Sequence, residues 1–346
     1  MAANSMSFAQ RLIAWQRTHG RHDLPWQGAD AYRVWLSEIM LQQTQVATVI
    51  PYYQRFVTSF PTIAALAVAT EEQVLAHWSG LGYYARGRNL HRAARLILEK
   101  YQGEFPQVFD DIISLPGIGR STAAAICALA FHQHRAILDG NVKRVLARYC
   151  GVSGWTGDKK IEAQLWQKAE ALLPKNDVAI YVQAQMDMGA TLCTRSRPKC
   201  GECPVQHDCV AHQTNRVHEL PTPRPRKAAP ERHATFLLLM SDREILMEKR
   251  APQGIWGGLW CLPQLDDEQG IVEDYVQRNG IKVSERIELG EFTHTFTHFK
   301  LHITPVLLRL VKKPLRVQQA GSVWIDAEEA LSAAIPTPVR KLLKRL

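Results

Sequence analysis

Cys193, Cys200, Cys203 and Cys209 follow one another as C-x6-C-x2-C-x5-C, so four of the chain's seven cysteines sit in one short loop. Thiols at such spacing imply metal or redox chemistry, and a chain of 346 residues buries enough core to fold without covalent staples. Disulfides are the alternative. They are disfavoured because the N-terminal MAANSMSFAQRLIAW has no apolar run of the secretory type, so an oxidising compartment is not expected. Four thiolates suit tetrahedral zinc and a [4Fe–4S] cluster alike, and spacing alone does not choose between them. Arg195, Arg197 and Lys199 interleave with the quartet and give the loop a basic surface, whereas Cys127, Cys150 and Cys261 stand alone among apolar neighbours as small hydrophobes.

The formal net charge of +9 extends that basic character to the whole chain and favours an anionic partner, nucleic acid foremost, since Lys and Arg displace phosphate counterions. The longest apolar stretch, around Ala123 to Phe131, is too short for a bilayer, so a cytoplasmic protein with no membrane partner is expected. Length suggests two domains. From Phe8 to about Ala211 apolar residues recur at helical spacing, punctuated by Pro51, Pro61, Gly80, Gly82, Pro116 to Gly119, Gly151 and Gly154. An all-α domain is predicted over residues 1–212. Residues 213–233 lose that period and gather Pro221, Pro223, Pro225 and Pro230 with Arg224, Arg226 and Lys227, the composition of an extended linker. Beyond it, over 234–346, strand patterns at Thr235 to Met240, Ile245 to Lys249 and Leu301 to Leu310 mix with helical ones near Ile271 to Arg278 and Pro338 to Leu346, so a smaller α+β domain is expected.

Leu115-Pro116-Gly117-Ile118-Gly119 between two short helical patterns reads as a helix–hairpin–helix turn. Gly117 and Gly119 admit backbone geometry closed to other residues, and the following helix offers free N–H groups to an anion. Downstream, Asp139 directly precedes a helix carrying Asn141, Lys143 and Arg144, which is the position of an N-cap. Glu38 lies on a helix beginning near Tyr32, where its neighbours on one face are Val34, Trp35, Leu41, Gln42 and Val46. A carboxylate on an apolar stripe either reaches to its edge and pairs with an arginine or is desolvated, which raises its pKa and makes it a proton donor near neutrality. Capping bonds are expected to keep Asp139 ionised while Glu38 is protonated, the separation that cleavage of a glycosidic bond requires.

LPGIG, then LDGNVKRV (Leu138 to Val145), then the cysteine quartet closely resemble the helix–hairpin–helix DNA glycosylases of the endonuclease III type. WLSEIMLQQTQVATVIPYY (Trp35 to Tyr53) and GLGYYARGRNL (Gly80 to Leu90) narrow the resemblance to the MutY family. The resemblance implies that the quartet holds a [4Fe–4S] cluster and that the chain, as a monomer, takes adenine out of double-stranded DNA where it is mispaired with 8-oxoguanine or guanine. It implies Glu38 as the acid that protonates adenine N7, Asp139 as the anion beside the developing oxocarbenium sugar, and Asn141 as an orienting group. Gln42, Gln43 and Tyr83 become duplex contacts that fill or wedge the gap left by the base, with Gly117, Gly119 and Lys143 nearby on the backbone. Trp26, Gln27, Val46 and Asp187 line the adenine pocket. Where lyase members carry a nucleophilic lysine after the hairpin, this chain has Ser121, which implies hydrolysis without strand cleavage.

GIWGGLWCLP (Gly254 to Pro263) and its flanking strand patterns resemble a Nudix domain, but the helix expected from Glu268 to Asn279 lacks the R-E-x-x-E-E run that binds magnesium. A recognition module is therefore expected, and the MutY resemblance implies that it reads the base opposite adenine through Phe296, Thr297 and His298. Thr297 stands where the family commonly has serine. His294 and His298 lack a cysteine or carboxylate beside them and are not expected to bind metal.

Overall fold

The structure, a computed structural model, describes residues 6–225, 229–266, 271–314 and 321–346. Arg226 and Lys227 of the expected linker and Glu268 of the expected helix lie outside them. The chain forms two compact units, Met1–Val68 with Asn89–Arg226, and Ala69–Arg88 with Lys227–Leu346.

In chain order the helices are α1 (Phe8–His19), α2 (Ala31–Leu41), α3 (Val46–Ser59), α4 (Ile63–Val68), α5 (Glu71–Trp78), α6 (Ala85–Tyr101), α7 (Phe109–Ser114), α8 (Arg120–Phe131), α9 (Gly140–Tyr149), α10 (Lys159–Ala171), α11 (Val178–Thr191) and α12 (Val210–Gln213). All but α5 and the first turn of α6 belong to the first unit. α1 starts at a capping box in which the Ser7 hydroxyl accepts from the Gln10 N–H (3.3 Å) and the Gln10 side-chain Oε1 accepts from the Ser7 N–H (2.8 Å). It buries Phe8, Ala9, Leu12 and Ile13, one face of a 3.6-residue period. α8 buries an unbroken run from Ala123 to Ala128 whose small side chains let α2 and α11 pack on it. Close approach recurs between α9 and α11, where a Cβ on Gly189 would stand 2.6 Å from that of Asn141. Leu12, Ile137, Val142, Leu146, Leu165, Tyr181 and Val182 form the core between these helices. No helix among the described residues is long and apolar enough to cross a membrane.

Residues that carry no helical period still pack. Val217 and Leu220 are buried with Ala211 beside Cys200 and Cys209, the Leu220 carbonyl accepts from Arg148 Nε (2.8 Å), and Thr222 Oγ1 accepts from the Gly154 N–H (2.9 Å). The early part of the proline-rich stretch thus lies on the first unit.

The second unit is built on an eight-stranded mixed sheet: β1 (Glu231–Ser241), β2 (Glu244–Lys249), β3 (Trp260–Cys261), β4 (Gln264–Asp266), β5 (Val283–Glu288), β6 (Phe292–Thr295), β7 (Lys300–Leu310) and β8 (Ser322–Asp326). β1 and β7 run parallel from Glu231↔Lys300 to Met240↔Arg309, and the other pairings are antiparallel. α13 (Val272–Arg278) and α14 (Thr337–Leu343) complete the α+β unit. The all-α and α+β classes read from periodicity are both observed, but the expected boundary is not the one between the units, because α5 and the first turn of α6 go with the α+β unit.

Candidate active site

A cleft of about 1270 Å³ opens in the first unit between α2, α8, α9, α11 and the loop of residues 21–28. Glu38, Gln42, Val46, Trp26, Gln27, Ser121, Asp139 and Asn141 all line it. α2 ends at Leu41, and Gln43, with φ 58°, turns the chain before α3 begins at Val46. The uninterrupted helix on which Glu38 and Val46 were expected to share a face is therefore two helices. Val46 reaches the cleft from the first position of α3. Gln43 is exposed on the turn and is not among the lining residues.

Glu38 projects from a helix whose neighbours Val34, Trp35, Leu36 and Ile39 are buried. Burial, reinforced by the Asp139 carboxylate, pushes its pKa up to about 8, so its carboxyl group is protonated at neutral pH. Asp139 caps α9, its Oδ1 accepting from the Val142 N–H at 2.8 Å. The cap is as expected, but its effect on the charge is not. Burial raises the Asp139 pKa and outweighs the opposing pull of the backbone N–H groups, Arg144 and Lys143. The Asp139 charge is in turn the second cause, after burial, that raises Glu38.

Ser121 Oγ accepts from the Leu138 N–H at 2.9 Å and so fixes the backbone immediately before Asp139. Asn141 Oδ1 accepts from Arg144 Nη2 (2.9 Å), and the same guanidinium donates to the carbonyls of Gly189 (2.6 Å) and Cys193 (2.7 Å). Lys143 pairs with Glu162 at 2.6 Å and does not line the cleft, which leaves it poorly placed to reach a sugar there. Trp26 is buried, edge-on to Tyr53 with centroids 5.3 Å apart. Gln27 bonds within its own loop, donating to the Arg21 carbonyl (2.7 Å) and accepting from the Leu24 N–H (3.1 Å). Gln42 Nε2 stands 3.4 Å from Thr122 Oγ1.

Asp187 lies behind the cleft wall rather than on it. It is fully buried and accepts from the Arg21 backbone N–H (2.9 Å) and Nε (2.8 Å), from Gln16 Nε2 (3.0 Å) and from Gln183 Nε2 (2.9 Å). Arg21, Gln16 and Gln183, which sequence reasoning missed, are the groups that face the cleft. The available signal was Asp187 itself, the lone charge on α11.

At the hairpin Gly117 has φ 82°, and a Cβ there would stand 2.8 Å from that of Asn89. Gly119 is the N-cap of α8, without a side-chain cap, and a Cβ built there would meet nothing within 4 Å.

The four cysteines line a second, apolar-walled cavity with Arg148, Val205 and Val217. Arg148 Nη1 donates to Cys193 Sγ (3.3 Å), and Cys209 Sγ donates to the Arg148 carbonyl (3.5 Å). Among the described residues no three His, Cys, Asp or Glu side chains close on the position of one ion. The four partly buried, free thiols around this one cavity are the donor set that an iron–sulfur cubane takes, one thiolate at each iron corner. When bound, the cluster crosslinks residues 193–209 through iron–sulfur bonds.

In the second unit Tyr83 is 43% exposed at the turn before α6. Phe296 stacks on Phe299 (4.3 Å, 12°), while Thr297 and His298 are exposed in the turn that the Phe296 N–H closes on the Phe299 carbonyl. His294 packs edge-on to Phe296, and burial holds its pKa below the ordinary range.

Three family models match the chain: the helix–hairpin–helix superfamily of base excision DNA repair proteins over residues 36–171, the iron–sulfur binding domain of endonuclease III over 193–209, and the NUDIX domain over 234–345. The helical fold with its hairpin and the matched cysteine loop define a DNA glycosylase of the helix–hairpin–helix class, an enzyme that hydrolyses N-glycosidic bonds in base excision repair and carries an iron–sulfur cluster in the domain matched over residues 193–209. A thermostable thymine-DNA glycosylase shares the fold, with a TM-score of 0.54 and 27% identity over 60% of this chain and 95% of that one. The adenine DNA glycosylase of Buchnera aphidicola subsp. Acyrthosiphon pisum (strain APS) is 38% identical over 97% of both chains, and that of Homo sapiens is 33% identical over 99% of this chain and 74% of its own. The chain belongs to the adenine DNA glycosylase family.

Proposed function

We propose that this chain hydrolyses the N-glycosidic bond of adenine mispaired with 8-oxoguanine or guanine in duplex DNA and leaves an abasic site. The observation that carries the reading is the carboxyl pair in one cleft, with burial and the Asp139 charge raising the Glu38 pKa to about 8. A base inside a duplex is out of reach, so adenine is flipped into the cleft at a cost of a few kcal/mol that is lowest for a mispair. Glu38 then donates its proton to adenine N7, the bond from the sugar to N9 breaks with its electron pair leaving on adenine, and the positive charge that develops on the sugar faces Asp139. Water adds to the sugar carbon and gives up a proton. Ser121 and Asn141 act by position, the first holding the backbone before Asp139 and the second tied to Arg144.

Trp26, Gln27 and Val46 form walls for the base, and Asp187 serves the same pocket by holding Arg21. Gln42, Gln43 and Tyr83 contact the duplex around the vacated position, and Gly117, Gly119 and Lys143 lie near its backbone. With Lys143 engaged by Glu162 and no amine at Ser121, the enzyme is monofunctional. In this reading residues 1–212 are the glycosylase domain, 213–233 the connector and 234–346 the recognition domain, with Phe296, Thr297 and His298 checking the opposing base. It acts as a monomer on chromosomal DNA. The test is a single-turnover assay on duplexes with adenine opposite 8-oxoguanine, guanine or thymine, analysed with and without alkali. Alkali-dependent cleavage confined to the two mispairs is expected. Equal action opposite thymine, or strand breakage without alkali, contradicts the reading.

A further inference from the structure

Tyr83 sits in a strained turn that its own sequence holds only in part. Gly80 (φ 106°), Gly82 (φ 75°) and Tyr83 itself (φ 49°) all adopt left-handed backbone, which for tyrosine is unfavourable and persists only when neighbours impose it. Some of the constraint is local. Buried Arg86 donates to the carbonyls of Leu81 (3.4 Å) and Gly82 (3.2 Å), with its guanidinium 5.5 Å from the centroid of the Tyr83 ring, and Trp78 Nε1 donates to the Gly82 carbonyl (3.2 Å).

The rest comes from the far end of the chain. The residues flanking the turn, Ser79 and Tyr84, both donate their hydroxyls to a single carbonyl, that of Ile335, at 2.6 and 3.3 Å. Arg340 on α14 donates Nη2 to the Ser79 hydroxyl (2.9 Å) and Nη1 to the Leu331 carbonyl (2.5 Å). The clasp is buried at Ser79 and Tyr84, where hydrogen bonds without water competition impose geometry most strongly. Its neighbours fasten the same segment: Glu72 to Lys249 and to the Trp260 indole N–H, and Arg88 to the Gly257 carbonyl.

We propose that Ser79, Tyr84 and Arg340 are positioning residues for Tyr83, so that the segment from Ile335 to Arg340 sets the pose of the tyrosine that meets the duplex. The proposal rests on the reading of Tyr83 as a duplex contact.

The test uses the full chain with Ser79→Ala and Tyr84→Phe combined, and Ser79→Thr as the conservative rescue. Hydrogen exchange of residues 79–86 in the free protein reports the turn directly. Affinity for a duplex with adenine opposite 8-oxoguanine, its sugar 2′-fluorinated to resist hydrolysis, is measured with Tyr83 present and in a Tyr83→Ala background. Loss of the hydrogen bonds made by the Ser79 and Tyr84 hydroxyls is expected to speed exchange of the turn amides roughly tenfold or more. Affinity should fall several-fold with Tyr83 present and show no further loss once Tyr83 is alanine, while Ser79→Thr keeps both near wild type. Unchanged exchange overturns the clasp, and equal affinity losses in the two backgrounds overturn its connection to Tyr83. Wild-type affinity in Tyr83→Ala alone removes the underlying reading and the proposal with it. That outcome is told apart from failure of the clasp because exchange is measured without DNA.

Discussion

Glu38 keeps a proton up to a pH of about 8 because its helix buries apolar neighbours on either side and Asp139 faces the same cleft. Its folded-state value lies above the ordinary 4.5, so the protonated carboxyl favours the fold. That contribution is fully present below about pH 4.5 and is lost as the pH rises through about 8. Glu38→Gln, neutral at every pH, is therefore expected to raise the thermal midpoint above that of wild type near pH 8 and to flatten its pH dependence, as calorimetry across that range will check. At Ser121 the structure adds a role that the sequence did not show, since its hydroxyl holds Leu138 in place. Ser121→Lys is expected to confer strand cleavage without alkali and borohydride-trappable complexes. It should also cost about 1 kcal/mol through the unpaired Leu138 N–H, read by urea unfolding. Glu38 and Asp139 were legible because a charge on an apolar stripe and an Asp before a helix are local signals. The placement of Asp187 was not, because it depends on Arg21, which lies far away in sequence within an irregular loop.

The hairpin separates two uses of glycine within one element. Gly117 combines a positive φ with a built Cβ 2.8 Å from Asn89, whereas Gly119 has ordinary φ and open space around it. Gly117→Ala is expected to lower stability by about 1 kcal/mol or more. Gly119→Ala, at an N-cap with ordinary φ and open space, should cost less stability than Gly117→Ala yet weaken duplex binding, because in the proposed reading the added methyl group crowds a phosphate at the α8 terminus. Paired unfolding and binding curves for the two variants distinguish these effects. Long elements with one buried face announced themselves in sequence: α1, α8, α9, β1 and β7 bury regular or continuous apolar sets. β5, with every residue but the first exposed, and the two-residue β3 carry no such pattern and exist because β7 and β2 offer them an edge. The break between α2 and α3 was hidden for the related reason that the apolar period continues across Gln43 while the backbone turns there.

On the scale of the whole molecule, the cysteine quartet was visible as spacing, whereas the stretch expected as an extended linker packs in its early part on the first unit and gives way to β1 at Glu231. Assignment of Ala69–Arg88 to the second compact unit was not visible, because the hydrogen bonds from Ser79 and Tyr84 to Ile335 join residues more than two hundred positions apart. Deleting everything after Arg232 is expected to leave part of the adenine removal opposite guanine and to erode the preference for 8-oxoguanine. Because the turn at Tyr83 then loses its anchor, affinity for every duplex should fall as well, which titration of matched and mispaired duplexes will show. The central claim is that Glu38 supplies the proton that releases adenine. Its most direct measurement is the single-turnover rate of adenine release opposite 8-oxoguanine by wild type and Glu38→Gln, followed as the pH is raised through 8 with duplex affinity measured in parallel. The account predicts a wild-type rate that declines through that range and a Glu38→Gln rate lower by ~10²–10⁴-fold at retained affinity. A Glu38→Gln enzyme that releases adenine at near wild-type speed contradicts it.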